Sequence, residues 1–427
     1  MIAQSRHRIV LILFGLLLIS ISYFTARHDS VALITQYILL FSAYAWLLFQ
    51  KTGWNFKQLI WLGIGFRILL LLATPNLSED VFRFIWDGRL WLQGIDAYAY
   101  LPNDLIKTNP EVSEKLFKLL NSPGYYTIYP PINQLIFVIA ASVTSIKGSI
   151  IIIRLFILAA EVISLITLSK LIQARNGEAK ALMLYALNPL VILELTSNLH
   201  FEAFVICFLL LAIYYLDQNK KIKSAVALGL SISFKIIPII WLATFFKKIN
   251  LKAYVFFVLV ALAIALVTFL PLLQTSIFQG GGASAKLYFQ TFEFNASIYY
   301  LVREVGYWSK GYNIIQTAGP LISLIGFALI GLYNLFASKK TSISERALWS
   351  WFIYCLFATT IHPWYILPMV ALSVLTNYKF PLLWSFLIFF TYLGYSANGF
   401  SENLWITAVE YISVISFAVF EIIKGRK

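Results

Sequence analysis

Cysteine, histidine and charge are all scarce in this chain of 427 residues. The two cysteines, Cys207 and Cys355, sit inside apolar runs, so neither a disulfide framework nor a cysteine-based zinc site is available. Charged residues make up 12% of the chain and apolar residues 60%, against about 25% and about 45–50% in soluble domains. A soluble globular enzyme is excluded, and so is a disordered or fibrous chain. No low-complexity linker divides the sequence, and no fixed-period repeat is visible, which argues against an inverted-repeat transporter. There is no GxGxxG fingerprint, and no Ser/His/Asp or Cys/His nucleophile set stands out. Gly280-Gly281-Gly282 has no strand before it and no Lys-Ser/Thr after it, so it is not a P-loop. Acids are outnumbered, 19 to 33, giving a net charge of +14. In a chain this apolar, such an excess reflects basic cytoplasmic loops, and no nucleic-acid partner is expected.

What is present is a series of long apolar runs. About 20 apolar residues cross the hydrocarbon of a bilayer as a helix. Twelve candidate spans follow: 9–25, 31–50, 57–73, 149–173, 179–197, 200–216, 251–271, 313–336, 344–360, 363–377, 380–397 and 404–423. The first lacks a small-x-small cleavage site and reads as a retained span. The basic clusters, from Arg6/Arg8 through Lys220/Lys221/Lys223 to Lys424/Arg426/Lys427, mark the cytoplasmic side and put both termini there. Two segments fit the count poorly. Segment 222–247 carries basic residues at both ends, and 132–147 must return outward. Both are expected to be re-entrant or broken helices, with Pro238 and Pro130-Pro131 at the breaks. The expected architecture is a single all-α domain over 1–427, a polytopic bundle of about 12 spans plus re-entrant or interfacial helices. Its long helical first outer loop is 74–131 and its second is 272–312.

Seven of the 19 acids fall between 74 and 131: Glu79, Asp80, Asp87, Asp96, Asp104, Glu111 and Glu114. Ser78 can cap a helix beginning there. On that helix Asp80, Arg83 and Asp87 share one face, and Val81, Phe84, Ile85 and Trp91 make much of the other. The pattern predicts an amphipathic helix on the outer surface. A Glu-Asp pair emerging directly from a span is a costly place for charge unless a site needs it. A carboxylate at this boundary can act as general base toward a sugar hydroxyl, and an adjacent cation can hold a departing phosphate. Asp80 and Arg83 would supply that pair.

Glu79-Asp80 after the third span, Arg83-x-x-Trp86-Asp87-Gly88, Gly94-Ile95-Asp96-Ala97-Tyr98 and Tyr129-Pro130-Pro131 together resemble the GT-C superfamily of membrane glycosyltransferases. Within it, the chain is most similar to bacterial polyprenol-phosphate-mannose-dependent mannosyltransferases. Asn188-Pro189, His200-Phe201-Glu202, Lys235-Ile236-Ile237-Pro238 and His362-Pro363-Trp364-Tyr365 extend the likeness from about 57 to 370. Glu202 stands where a His-Asn-Asp type motif has Asp, and Ala97 where the turn usually has Pro.

The resemblance implies an inverting transfer of a hexose, with mannose favoured, from a polyprenyl-phosphate donor to a glycan or lipid-linked acceptor. It would occur on the extracytoplasmic face of the cell membrane, with Asp80 or its neighbour Glu79 as base. The rival from another class is a lipid-linked-sugar flippase or transporter, and a third reading is a non-catalytic assembly protein of the same fold. Candidate partners of the donor phosphate or substrate are His362, Lys235, Arg303 and Arg83, in that order, with His200, Glu202, Asp87 and Tyr129 around them. His362 with Pro363-Trp364-Tyr365 fits a headgroup-level aromatic anchor equally well, and Lys235 a snorkelling lysine. His7 and His28, near the N-terminus, are set aside. His200 and Glu202, two apart, do not share a helix face. No metal or other cofactor is assigned.

Overall fold

The computed structural model describes residues 2–109, 113–276 and 292–425. The Gly280–Gly282 loop and Glu111 lie outside them. The described chain is an all-α membrane bundle whose only named strands form one short hairpin, Tyr395–Ser396 with Gly399–Phe400. Six helices are long and apolar enough to cross a bilayer: Ser5–Phe24, Ser30–Phe49, Ile146–Ala174, Leu251–Gln274, Ile315–Phe336 and Leu404–Gly425. Each coincides with a predicted span. The predicted 179–197 span is a pair of helices, Ala179–Ala186 and Pro189–Ser197, bent by 49°. The remaining predicted spans are shorter than a full crossing. They include Phe56–Ile68, Glu202–Asp217, Ile343–Phe357 and the apolar helices Pro363–Ser373 and Phe380–Gly394. The count of twelve full-length spans is therefore not reached among the described residues. Hydropathy registers an apolar run whether it is one straight helix or several short buried pieces.

The first half runs α1 (Ile2–Phe24), α2 (Ser30–Phe49), α3 (Phe56–Ile68), α4 (Asp80–Leu92), α5 (Pro102–Thr108), α6 (Glu114–Phe117), α7 (Pro131–Ala141) and α8 (Ile146–Ala174). Segment 132–147 is thus the eleven-residue α7, a turn and the start of α8. Helix α7 opens on Pro131, which needs no N–H at a helix start, and packs against α4. The approach is so close that a β-carbon on Gly88 would lie 2.2 Å from the Phe137 carbonyl oxygen. That contact corrects the expected interfacial helix. In α4, residues Val81 through Gly88 are buried without a break, because α7 covers one side and Phe117, Tyr125, Thr127 and Tyr129 the other.

Segment 222–247 breaks where proline predicts. Helix Lys221–Phe234 ends, Lys235 is extended (φ −156°, ψ 135°), and a 3₁₀ helix runs Ile237–Phe245. Pro238 has no N–H to give the Phe234 carbonyl, which accepts instead from the Asn133 side chain at 3.4 Å.

Charge inside the bundle is paired. Arg67 and Glu161, both fully buried, meet through two bonds of 2.6 and 3.0 Å. Thr196 donates to Glu161 at 2.6 Å, and Arg67 also donates to the carbonyls of Gly63 and Ala186. Arg154 donates to the carbonyls of Thr196, Ser197 and Leu71. Intramembrane charges are held in this way, by each other or by backbone carbonyls. Here they brace the bent pair that leads into His200.

Candidate active site

The acidic segment and the histidine turn are joined directly. The Leu77 N–H donates to Asn198 Oδ1 at 3.1 Å, and Asn198 Nδ2 donates to the Leu193 carbonyl at 3.0 Å. Leu199 then takes a left-handed conformation, φ +65°, costly for a residue of its bulk. It follows a π-helical stretch, Ile192–Ser197. Strain and a π turn together redirect the chain so that His200 points back into the bundle.

The two adjacent acids are in different states. Glu79 pairs with Arg27 at 2.6 Å. Arg27 also donates to the Leu77 carbonyl at 3.3 Å and lies 4.3 Å over the ring of Tyr395. Asp80, the first residue of α4, accepts a bond from the neutral Asn121 amide at 2.9 Å, and its own N–H donates to Ser78 Oγ at 3.3 Å. Glu79 is the helix cap by backbone conformation, so the predicted Ser78 cap is displaced by one residue. Tyr395 lies within electrostatic reach of Arg27, Glu79, Asp80 and Glu194.

Across from these acids, Lys235 Nζ forms an ion pair with Glu202 and lies 3.8 Å over the ring of Tyr365. Tyr365 is within electrostatic reach of both Glu202 and Asp80, so the lysine and the acidic segment share a neighbourhood. The Trp364 indole stacks on His362 (4.5 Å, 7°) and on His200 (3.6 Å, 15°). His362 is half-buried, and its removal from water, with the nearby His200 and Lys235, pushes its pKa down to about 3. It is a neutral imidazole at ordinary pH and not a cation for a phosphate. His200 Nε2 lies 3.3 Å from Glu194 Oε2.

Of the four predicted phosphate partners, His362 and Lys235 come together with Asp80, His200 and Glu202. Arg83 and Arg303 are engaged by other partners. Arg83 is buried and spent: it donates to Asp87 at 2.8 Å and to the Tyr125 carbonyl at 2.8 Å. Asp87 in turn accepts from Thr127 at 2.5 Å and Gln134 at 3.0 Å. This pair locks the acidic segment in place. Tyr129 packs edge-on against Phe84 and Phe137, and its carbonyl accepts the Tyr98 hydroxyl at 2.6 Å. Arg303 belongs to a separate cluster with Glu293 at 2.7 Å and Glu304 at 3.3 Å. Phe292 and Phe294 face His362, while Glu293 between them turns to Arg303. An apolar groove lined by Leu329, Leu332, Tyr333, Phe336, Ile353 and Phe357 includes none of the candidate side chains. Among the described residues no three His, Cys, Asp or Glu side chains gather so as to hold a metal ion.

Sequence reasoning missed Arg27, Asn121, Glu194 and Tyr395. A signal existed for Glu194, an acid inside a predicted span, and for Arg27, a basic residue apart from the cytoplasmic clusters. Asn121 and Tyr395 carry none, since each matters only through a tertiary contact.

Six full-length apolar helices among the described residues define a multi-pass helical membrane protein, and its candidate polar side chains gather where helices break. The chain belongs to the family described as alpha-(1->6)-mannopyranosyltransferase, N-terminal domain, which it matches over residues 7–249, more than half its length. That stretch contains Glu79, Asp80, Glu194, His200, Glu202 and Lys235. The chain is also 28% identical over 151 residues to alpha-(1->6)-mannopyranosyltransferase B of Corynebacterium glutamicum, covering 34% of this chain and 24% of that protein. The match therefore spans about a quarter of the relative's length. No solved structure matches the chain.

Proposed function

We propose that the chain is a membrane glycosyltransferase. It moves a hexose, mannose in our reading, from a polyprenyl-phosphate donor to a hydroxyl of a glycan or lipid-linked acceptor, on the extracytoplasmic face of the cell membrane. The family match supports the sugar and the reaction class. The observation that carries the mechanism is the unequal state of the two adjacent acids. Glu79 is neutralised by Arg27, whereas Asp80 is held only by a neutral amide and keeps a carboxylate available to take a proton.

In this mechanism Asp80 removes the acceptor hydroxyl proton as that oxygen attacks the anomeric carbon. The bond from that carbon to the phosphate oxygen breaks, and the polyprenyl phosphate leaves as an anion. A single displacement inverts the anomeric centre and needs no covalent enzyme intermediate. Lys235, paired with Glu202 before substrate arrives, turns to the departing phosphate as a point charge, and neutral His362 supplies a hydrogen bond.

Purified protein in liposomes, given radiolabelled mannosyl polyprenyl phosphate and a membrane extract as acceptor, tests the reading. Label should appear on an acceptor with the anomeric configuration opposite to the donor's. Movement of the donor between leaflets with no new glycosidic bond would instead identify a flippase.

A further inference from the structure

Glu194 is a fully buried acid in the π-helical stretch Ile192–Ser197. Its Oε1 accepts the Tyr392 hydroxyl at 2.8 Å. Its Oε2 lies 3.3 Å from His200 Nε2, and both of those atoms are buried without a hydrogen-bond partner, so two unsatisfied polar atoms face each other. The backbone repeats the link, since the His200 N–H donates to the Glu194 carbonyl at 3.3 Å. His200 is thus held through its backbone and, at 3.6 Å from Trp364, through its face, with Nε2 aimed at the unsatisfied Glu194 Oε2. The same indole carries His362.

We infer that Glu194 is a positioning residue for the transfer reaction. It holds His200 as the tautomer protonated on Nε2 and sets the place of the His200–Trp364–His362 stack, without touching substrate. The inference rests on the proposed glycosyltransferase activity. A buried imidazole has two tautomers and a ring that can turn over. The hydrogen bond made by one nitrogen decides what the other presents. An oriented carboxylate behind a working imidazole is a recurrent arrangement, and its removal costs about 10–100-fold where it has been measured at metal sites. The 3.3 Å spacing is slack enough to tighten when substrate orders the site, as catalytic contacts often do. A π turn, rare and enriched at functional sites, together with left-handed Leu199, is what brings residue 194 beside residue 200.

Glu194→Gln keeps the shape and removes the charge, and its amide can donate toward Nε2. In this variant kcat should fall about 10–100-fold with the donor KM changed less than about threefold. The His200 side-chain ¹⁵N signals, assigned by their loss in His200→Gln, should move away from the Nε2-protonated pattern. Glu194→Asp should restore part of kcat and the original ¹⁵N pattern. Tyr392→Phe, which leaves the carboxylate in place, should keep the tautomer. Wild-type kcat or unchanged ¹⁵N signals in Glu194→Gln would overturn the assignment. So would a loss of folded protein in Glu194→Gln combined with a wild-type Glu194→Asp pattern lacking the Nε2-protonated form. The NMR readout needs no donor, so the pairing is tested separately from activity. Absence of transfer by the wild-type protein would instead overturn the glycosyltransferase reading.

Discussion

Asn198 accepts the backbone N–H of Leu77 at 3.1 Å, a bond between residues 121 positions apart that ties the acidic segment to the histidine turn. Asp80 sits three residues beyond one end of this link and His200 two beyond the other. Each half is rigid in its own right. The Arg83–Asp87 pair and α7 fix the first, and Arg67, Glu161 and Arg154 brace the second. Two such halves hold the backbone framework in place before substrate arrives and leave only side-chain contacts such as Glu194–His200 to tighten, which is where positioning gains its rate advantage.

Arg83 is expected to matter for stability before it matters for chemistry. It is 4% exposed at the side chain and its partner Asp87 is fully buried. Removing one member of a buried pair strands the other charge, at a cost of about 3–5 kcal/mol. Arg83→Met should lower the thermal unfolding midpoint in detergent by several degrees or abolish expression. A variant as stable as wild type but unable to bind donor would return Arg83 to the phosphate site.

His362 predicts a pH effect of defined sign. Its folded pKa of about 3 lies below its ordinary value of about 6.5. Between those values the unfolded chain binds the extra proton, so folding stability rises with pH across that window and is lost as pH falls from about 6.5 to about 3. His362→Gln should flatten the stability profile over that range in thermal unfolding scans. An equally steep profile in the variant would show that His362 is not held neutral in the folded protein.

Lys235 is expected to act on the departing phosphate. Lys235→Met should cut kcat by about 10²–10³, the loss typical when one preorganised electrostatic group is removed, and Lys235→Arg should retain part of it. Comparable activity in Lys235→Met would make the residue an ordinary snorkelling lysine over Tyr365.

The proposed orientation rests on the basic clusters. Lys107 in α5 is well exposed, 72% at the side chain, so Lys107→Cys is open to labelling. An impermeant thiol reagent should reach it from outside intact spheroplasts. Protection until lysis would invert the proposed topology.

The helical membrane class and six of the spans were legible because an uninterrupted apolar run of this length has few other uses. The break at Lys235 was legible from Pro238, a covalent property of one residue. Asp80, His200, Glu202, Lys235 and His362 were legible as polar residues placed where a membrane protein can least easily accommodate them. The burial of α4 was not, because its Asp80–Arg83–Asp87 face looks solvent-bound until Thr127, Gln134 and the Tyr125 carbonyl satisfy Arg83 and Asp87 from 40 to 47 residues away. The surroundings of Arg303 were hidden for the opposite reason. Its charge was visible, but Glu293 already claims it, and only the fold shows which face of the 292–294 segment turns to His362.

The division of labour between the neighbouring acids is the centre of the account, and kcat for mannose transfer in Asp80→Asn and Glu79→Gln, measured side by side on folded protein, tests it most directly. Asp80→Asn should lose about 10²–10⁴-fold, the usual range for a general base, with donor binding retained. Glu79→Gln should lose far less, because its carboxylate is already engaged by Arg27. Near wild-type turnover in Asp80→Asn, or the larger loss in Glu79→Gln, would contradict the assignment.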